Sequence, residues 1–172
     1  TIERLSAHAN KGAILLRQGE YQKSVNSLTP MWNMVKQTNY NVLTLKYLSP
    51  LLKAYLLLGK TDSVAFYLTY AKEACRNLAS TSNGVLGILE IKADFLGKQK
   101  KYAEQWALLD SIAKLSGSNQ TMPKDKLLAT QARCLGNMGR YAQAYQTMLE
   151  AYQQSDTLRQ SDIDKQLSEF NI

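Results

Sequence analysis

Four turn-like segments recur along the chain at nearly equal intervals. They read Gln18-Gly19-Glu20-Tyr21, Leu58-Gly59-Lys60-Thr61, Gln99-Lys100-Lys101-Tyr102 and Met138-Gly139-Arg140-Tyr141, and their second residues are 40, 41 and 39 positions apart. Each is preceded by an apolar run: Ala13 to Leu16, Leu51 to Leu58, Ile88 to Leu96, and Leu127 to Leu135. Each is followed by another: Val25-Leu28-Trp32-Val35, Val64-Leu68-Ala71-Cys75, Trp106-Leu109-Ile112-Leu115, and Ala144-Met148-Ala151. Steps of three and four dominate these runs, which is the period of an amphipathic helix, and alternation with period two is nearly absent. The repeating unit is therefore helix–turn–helix, about forty residues long. A lone helical hairpin cannot bury its inner face, and stacking hairpins in register makes one continuous core.

This pattern predicts an all-α solenoid of four hairpins, over residues 1–38, 41–79, 84–116 and 123–155, with a closing helix at 157–170. At 172 residues the chain is long enough for one domain with a sizeable core. Gly19, Gly59 and Gly139 stand where a helix ends and are expected in the left-handed conformation that closes it. Tyr21, Tyr102 and Tyr141 open the next helix and are expected to wedge between the two. Small residues recur where paired helices must approach, at Gly12, Ala93 and Ala132 before the turns, and small or slim ones at Ser24, Val64 and Ala144 after them. Loops are expected near Asn39, at Ser80–Gly84 and at Ser116–Pro123. Pro30 and Pro50 fall inside helical patterns and read as kinks, with a hinge as the sharper reading.

At these positions the chain resembles the tetratricopeptide repeat family. The fourth repeat carries the family's pattern as Leu128, Ala132, Leu135, Gly139-Arg140-Tyr141 and Ala144. The third carries it as Leu89, Ala93, Leu96 and Tyr102, and the first as Gly12, Leu15, Gly19-Glu20-Tyr21 and Ser24, with His8 where an aromatic or aliphatic residue is usual. The second departs most, with Leu52 at the small position and Thr61 in place of Tyr. The period is nearer 40 than the family's 34, and no proline closes each repeat. In such arrays the first helix of each pair lines a concave groove. That resemblance implies a groove bearing Arg17, Lys46, Lys53, Glu90, Asp94, Arg133 and Asn137, whose charged and amide groups suit a peptide backbone or carboxylate.

A second, shorter resemblance lies at the end. Glu150 to Leu158, followed by Asp164-Lys-Gln-Leu-Ser-Glu-Phe170, is similar to the exit from tetratricopeptide arrays of Bacteroidetes membrane-anchored regulators, which lead to a histidine kinase or helix-turn-helix output. It implies a sensor or interaction region of a signal-transduction regulator, on the periplasmic side of the inner membrane. Both ends read as cut from a longer protein, since helical periodicity is already present at Ile2, Leu5 and Ala9 and continues through Leu158, Ile163, Leu167 and Phe170. On that reading Leu158 and Ile163 pack on the hairpin containing Tyr145 and Met148, and Phe170 is more exposed.

The remaining features point away from catalysis. His8 is the only histidine, so no Ser/His/Asp or Cys/His set forms without it, and its repeat position reads as structural. Cys75 and Cys134 sit among apolar neighbours and read as buried free thiols. Asp162 and Asp164 lie on different helix faces, and no spacing suggests a metal site or cofactor. The ten tyrosines, with Trp32 and Trp106, read mostly as core packing, for instance Tyr141, Tyr145 and Tyr152 with Met148; Tyr40, Tyr47 and Tyr70 leave a stacking role open. The net charge of +7 sits almost wholly in residues 1–60, which hold eight basic and two acidic residues. These are spread about one per two turns, so a solvated surface is favoured over a nucleic-acid footprint. The expected function is non-catalytic binding of a peptide, a protein or a second copy of the chain, with a general scaffold as the alternative.

Overall fold

The computed structural model describes residues 1–115 and 122–170, residues 162–170 by backbone alone. Among the described residues all regular structure is helical. The helices are α1 (Ile2–Arg17), α2 (Tyr21–Leu28), α3 (Trp32–Gln37), α4 (Asn41–Leu57), α5 (Thr61–Arg76), α6 (Asn83–Lys98), α7 (Tyr102–Leu115), α8 (Lys124–Asn137) and α9 (Tyr141–Phe170). The four turns fall where the recurrence places them. No helix among the described residues is long and apolar enough to cross a membrane. The chain divides into two compact units, Thr1–Gln99 and Lys100–Ile172, with the division inside the third turn.

Three turns share one hydrogen-bonding scheme. The Glu20 N–H reaches the Leu15 carbonyl (2.9 Å) while Gly19 N–H reaches Leu16 (3.1 Å). Lys60 and Gly59 do the same to Tyr55 and Leu56, and Arg140 and Gly139 to Leu135 and Gly136. This double closure satisfies helix-end carbonyls and requires one residue at positive φ. Gly19, Gly59 and Gly139 supply it, at φ of 79°, 71° and 77°. The third turn has no glycine, and Lys100 holds the left-handed conformation there, at φ 60°. Asn39, the other non-glycine residue in this region (φ 49°), marks the loop expected before α4.

In the first unit, α4 packs against α1, α2, α3, α5 and α6, and α6 also touches α5. Thus α4 lies against both helices of the hairpin before it, and α6 against both α4 and α5. The core is built on Leu28, Val35, Leu45, Tyr47, Leu48, Leu51, Leu52 and Val64, all essentially inaccessible to solvent. Leu52 fills the position where the repeat pattern expects a small residue. Gly12 and Ser24 mark the close approach of α1 and α2: the Ser24 hydroxyl donates to the Gly12 carbonyl at 2.9 Å, and a Cβ on Gly12 would lie 2.6 Å from Leu28.

The two prolines behave differently. Pro50 lies within the continuous helix α4. Pro30 lies in a turn of 3-10 helix, Thr29–Met31, that separates α2 from α3. There the Trp32 N–H bonds to Thr29, and the Leu28 carbonyl instead accepts the buried Tyr47 hydroxyl at 2.7 Å. A single α4 side chain thereby satisfies the backbone at the break.

In the second unit α8 packs against α7 and α9. Leu109, Ile112, Leu127, Ala132, Cys134, Leu135 and Ala151 are buried. Ala132 fits the close-packed position expected of it, and Ala144 Cβ lies against Gly136 on α8. The loop expected at Ser116–Pro123 lies, over residues 116–121, outside the described residues; Pro123 caps α8.

The closing helix is not a separate element. Helix α9 runs unbroken from Tyr141 to Phe170, 30 residues, across the expected division between the fourth hairpin, ending at 155, and a closing helix beginning at 157. The segment Gln153-Gln-Ser-Asp-Thr157 contains neither glycine nor proline, and the Thr157 hydroxyl folds back onto the Gln153 carbonyl at 2.9 Å, which keeps these turn-favouring residues compatible with helix. Leu158 therefore shares a helix with Tyr145 and Met148 rather than folding back onto them, and it is 51% exposed. The expectations for Ile163, Leu167 and Phe170, and for Asp162 and Asp164, concern side chains outside the described residues.

Candidate functional site

The polar residues expected in a groove divide between the units. Arg17 (α1), Lys46 and Lys53 (α4) and Glu90 and Asp94 (α6) belong to the first, and Arg133 and Asn137 (α8) to the second. All are exposed except Glu90, which is half-buried. Lys46 and Lys53, seven residues apart, share one face of α4, and Glu90 and Asp94, four apart, share one face of α6. Lys46 Nζ donates to the Ser6 hydroxyl on α1 at 2.6 Å, tying neighbouring first helices together. Arg17 Nε turns back to the Ala13 carbonyl of its own helix at 3.4 Å. Two of the expected groove residues thus already spend hydrogen bonds on the fold.

A group of aromatic rings was not foreseen in the first unit. Trp32 on α3 meets Tyr67 and Tyr70 on α5 edge to face, with centroids 5.6 and 5.3 Å apart. Phe66 touches the same two tyrosines, and Tyr55 stacks on Tyr67 at 5.6 Å. Lys36 closes the group, 4.8 Å from the Tyr70 ring centre and 3.3 Å from its hydroxyl. Edge-to-face pairs add to burial, so the group stiffens the α3–α5 contact while leaving Phe66 at the surface. Of the three uncertain tyrosines, Tyr47 is core, Tyr70 half-buried within this cluster and Tyr40 exposed. Burial, and then the neighbouring Tyr67, push the Tyr47 hydroxyl up to about 12.

Two clefts lie among the described residues of the second unit. One, of about 370 Å³, is lined by Trp106, Leu135, Arg140, Gln143, Gln146 and Thr147, with the Arg140 guanidinium 5.9 Å from the Trp106 ring centre. The other, of about 500 Å³, runs between the start of α8 and α9 and is bordered by Pro123, Asp125, Lys126, Met148, Tyr152 and Ser155.

Beside this second cleft runs the largest departure from expectation. Tyr141, Tyr145 and Tyr152 are 74%, 66% and 69% exposed, and Met148 is 47% exposed. They are not core, and Tyr141 stands in solvent where its counterparts Tyr21 and Tyr102 are half-buried. Two apolar stripes run along α9: Ala144 and Ala151 belong to the one facing α8, and the larger residues to the next one round. A helical period reveals both, but which one meets a neighbour depends on side-chain size. The alanines permit the close approach that Gly136 completes, and that contact turns the tyrosines outward.

The other reactive groups are placed for packing. Cys134 is buried, with its thiol donating to the Tyr102 carbonyl at 3.2 Å; Cys75 is half-buried, and burial pushes both thiols up. Such thiols are poor nucleophiles. His8 is half-buried, and its Nδ1 is enclosed with no hydrogen-bond partner among the described residues. Those residues contain no group of three or more His, Cys, Asp or Glu side chains able to hold a metal ion. The aromatic group and the two clefts present aromatic, amide and cationic side chains. No family model, curated protein or solved structure matches the chain.

Proposed function

We propose that the chain is a non-catalytic helical-repeat module that binds protein, and that the outer face of α9 is its binding surface. The observation that carries this reading is the row Tyr141, Tyr145, Met148 and Tyr152, large residues left in solvent along about three turns of one helix. Contiguous apolar surface of this kind marks interaction sites, and tyrosine and methionine are enriched at protein interfaces. The recurring hairpins, and the packing of α4 against both helices of the hairpin before it within the first unit, support a repeat of the tetratricopeptide type. The polar residues of the first helices, Lys53 and Asp94 in the first unit and Arg133 in the second, then offer further polar contacts within each unit.

The continuity of α9 favours a more particular reading, the sensor or interaction region of a signal-transduction regulator. A helix of 30 residues is about 45 Å long, whereas its partner α8 has only 14 residues. Beyond the length that α8 can accompany, α9 is a stiff helix able to carry movement of the hairpin to which it belongs.

The test is photo-crosslinking in cells. A photoreactive residue at Tyr145 is expected to give protein adducts, and one at exposed Asp62 none. Absence of adducts at Tyr145, or equal yields at both positions, would refute the assignment.

A further inference from the structure

The exposed residues of α9 follow one another at steps of four, three and four, the alternation of a coiled-coil seam. Two of them, Met148 and Tyr152, border the open cleft shared with α8. In that cleft the Asp125 Oδ1 atom is buried with no hydrogen-bond partner among the described residues. A buried acceptor without a donor is costly, so the surface calls for apolar contact and a hydrogen-bond donor together.

We infer that this face pairs with the same face of a second copy of the chain, the two α9 helices antiparallel and centred on Glu150. The inference rests on the reading of α9 as a protein-binding surface and names the partner. In this register Tyr141 faces the second copy's Arg159, a cation over a ring, and Met148 faces its Tyr152, sulfur against an aromatic. Tyr145 faces Ser155, which brings a phenol hydroxyl to the cleft that holds Asp125. Each contact occurs twice, as a two-fold interface requires. Glu150 lies on the opposite side of α9 from the seam, so the two central carboxylates point apart.

Charge and area agree with a second copy. Residues 1–99 hold twelve basic and six acidic side chains, and residues 100–172 hold nine and eight. Identical copies repel least where they are nearly neutral, and α9 belongs to the nearly neutral unit. Taking a tyrosine side chain as about 200 Å², the exposed row with Leu149 offers roughly 600 Å² per copy. Two copies bury roughly 1,200 Å², the lower limit for a specific interface.

Sedimentation velocity on the whole chain, from micromolar to hundreds of micromolar, tests this. Wild type is expected to shift from monomer to dimer across the range. Tyr145→Ala/Tyr152→Ala is expected to associate at least about tenfold more weakly with an unchanged melting curve, and Phe66→Ala to associate as wild type does. A wild type that stays monomeric, or a double variant that pairs as well as wild type, would overturn the inference. A monomeric wild type whose Tyr145 photo-adduct joins a different protein refutes self-pairing alone; a monomeric wild type without any protein adduct refutes the binding surface as well.

Discussion

Replacing Gly12 by alanine puts two opposing terms in direct competition. Gly12 lies inside α1, where alanine is favoured over glycine by about 1 kcal/mol. The new methyl would lie 2.6 Å from Leu28 Cγ and both of its Cδ atoms, whereas carbon atoms rest about 3.5–4.0 Å apart. A gap of about 1 Å must open. Leu28 cannot yield into solvent, because it is fully buried and its carbonyl is held by Tyr47. Overpacking of this kind costs about 1–3 kcal/mol, so Gly12→Ala should destabilise the first unit by about 1 kcal/mol net. Leu28→Ala removes the obstruction and itself costs about 2–5 kcal/mol. In that background Gly12→Ala should become stabilising by up to about 1 kcal/mol, a reversal of sign and a coupling of about 2 kcal/mol. Urea unfolding followed by Trp32 fluorescence, with Trp106→Phe in every variant, reads the first unit alone. Equal effects in both backgrounds would refute the account of Gly12 as the point of closest approach between α1 and α2.

Two further outcomes follow from backbone and burial. Lys100 occupies the left-handed position that glycine holds in the other three turns, at a cost of about 1–2 kcal/mol, so Lys100→Gly should raise stability by about 1 kcal/mol, and Gly139→Ala should lower it by a similar amount. Unchanged melting midpoints would remove the argument. Tyr47 titrates near 12 in the folded chain, raised by burial from an unfolded value of 10. The unfolded chain therefore loses this proton first, so the stabilisation is complete below pH 10 and is lost as pH rises from 10 through 12. Alkaline unfolding should be shallower in Tyr47→Phe, which should also cost about 1–3 kcal/mol at neutral pH by stranding the Leu28 carbonyl; an identical alkaline slope would place the titration elsewhere.

The turns were legible because their chemistry is local. A double helix-end closure needs one residue at positive φ, and glycine at 19, 59 and 139 announces it. Lys100 was legible only through the spacing of its neighbours. Gly12, Ser24 and Ala132 were legible because close helix approach restricts side-chain size. The outward row on α9 was not, since a helical period assigns residues to stripes without saying which stripe meets a neighbour. The unbroken course of α9 was not anticipated, although residues 153–157 hold no glycine or proline to end a helix between the fourth hairpin and the closing segment. The aromatic group around Trp32 depends on α3 being set off by the turn at Pro30, a tertiary consequence that no spacing displays.

Hydrogen exchange of the whole chain at low and high protein concentration examines the α9 face directly. Protection should rise with concentration along Tyr141–Arg159 and in the Asp125 turn of α8, and remain constant in α1 to α5. Exchange independent of concentration along α9, or protection rising instead around Phe66 and Tyr70, would contradict the assignment of this face as the surface on which the protein meets its partner.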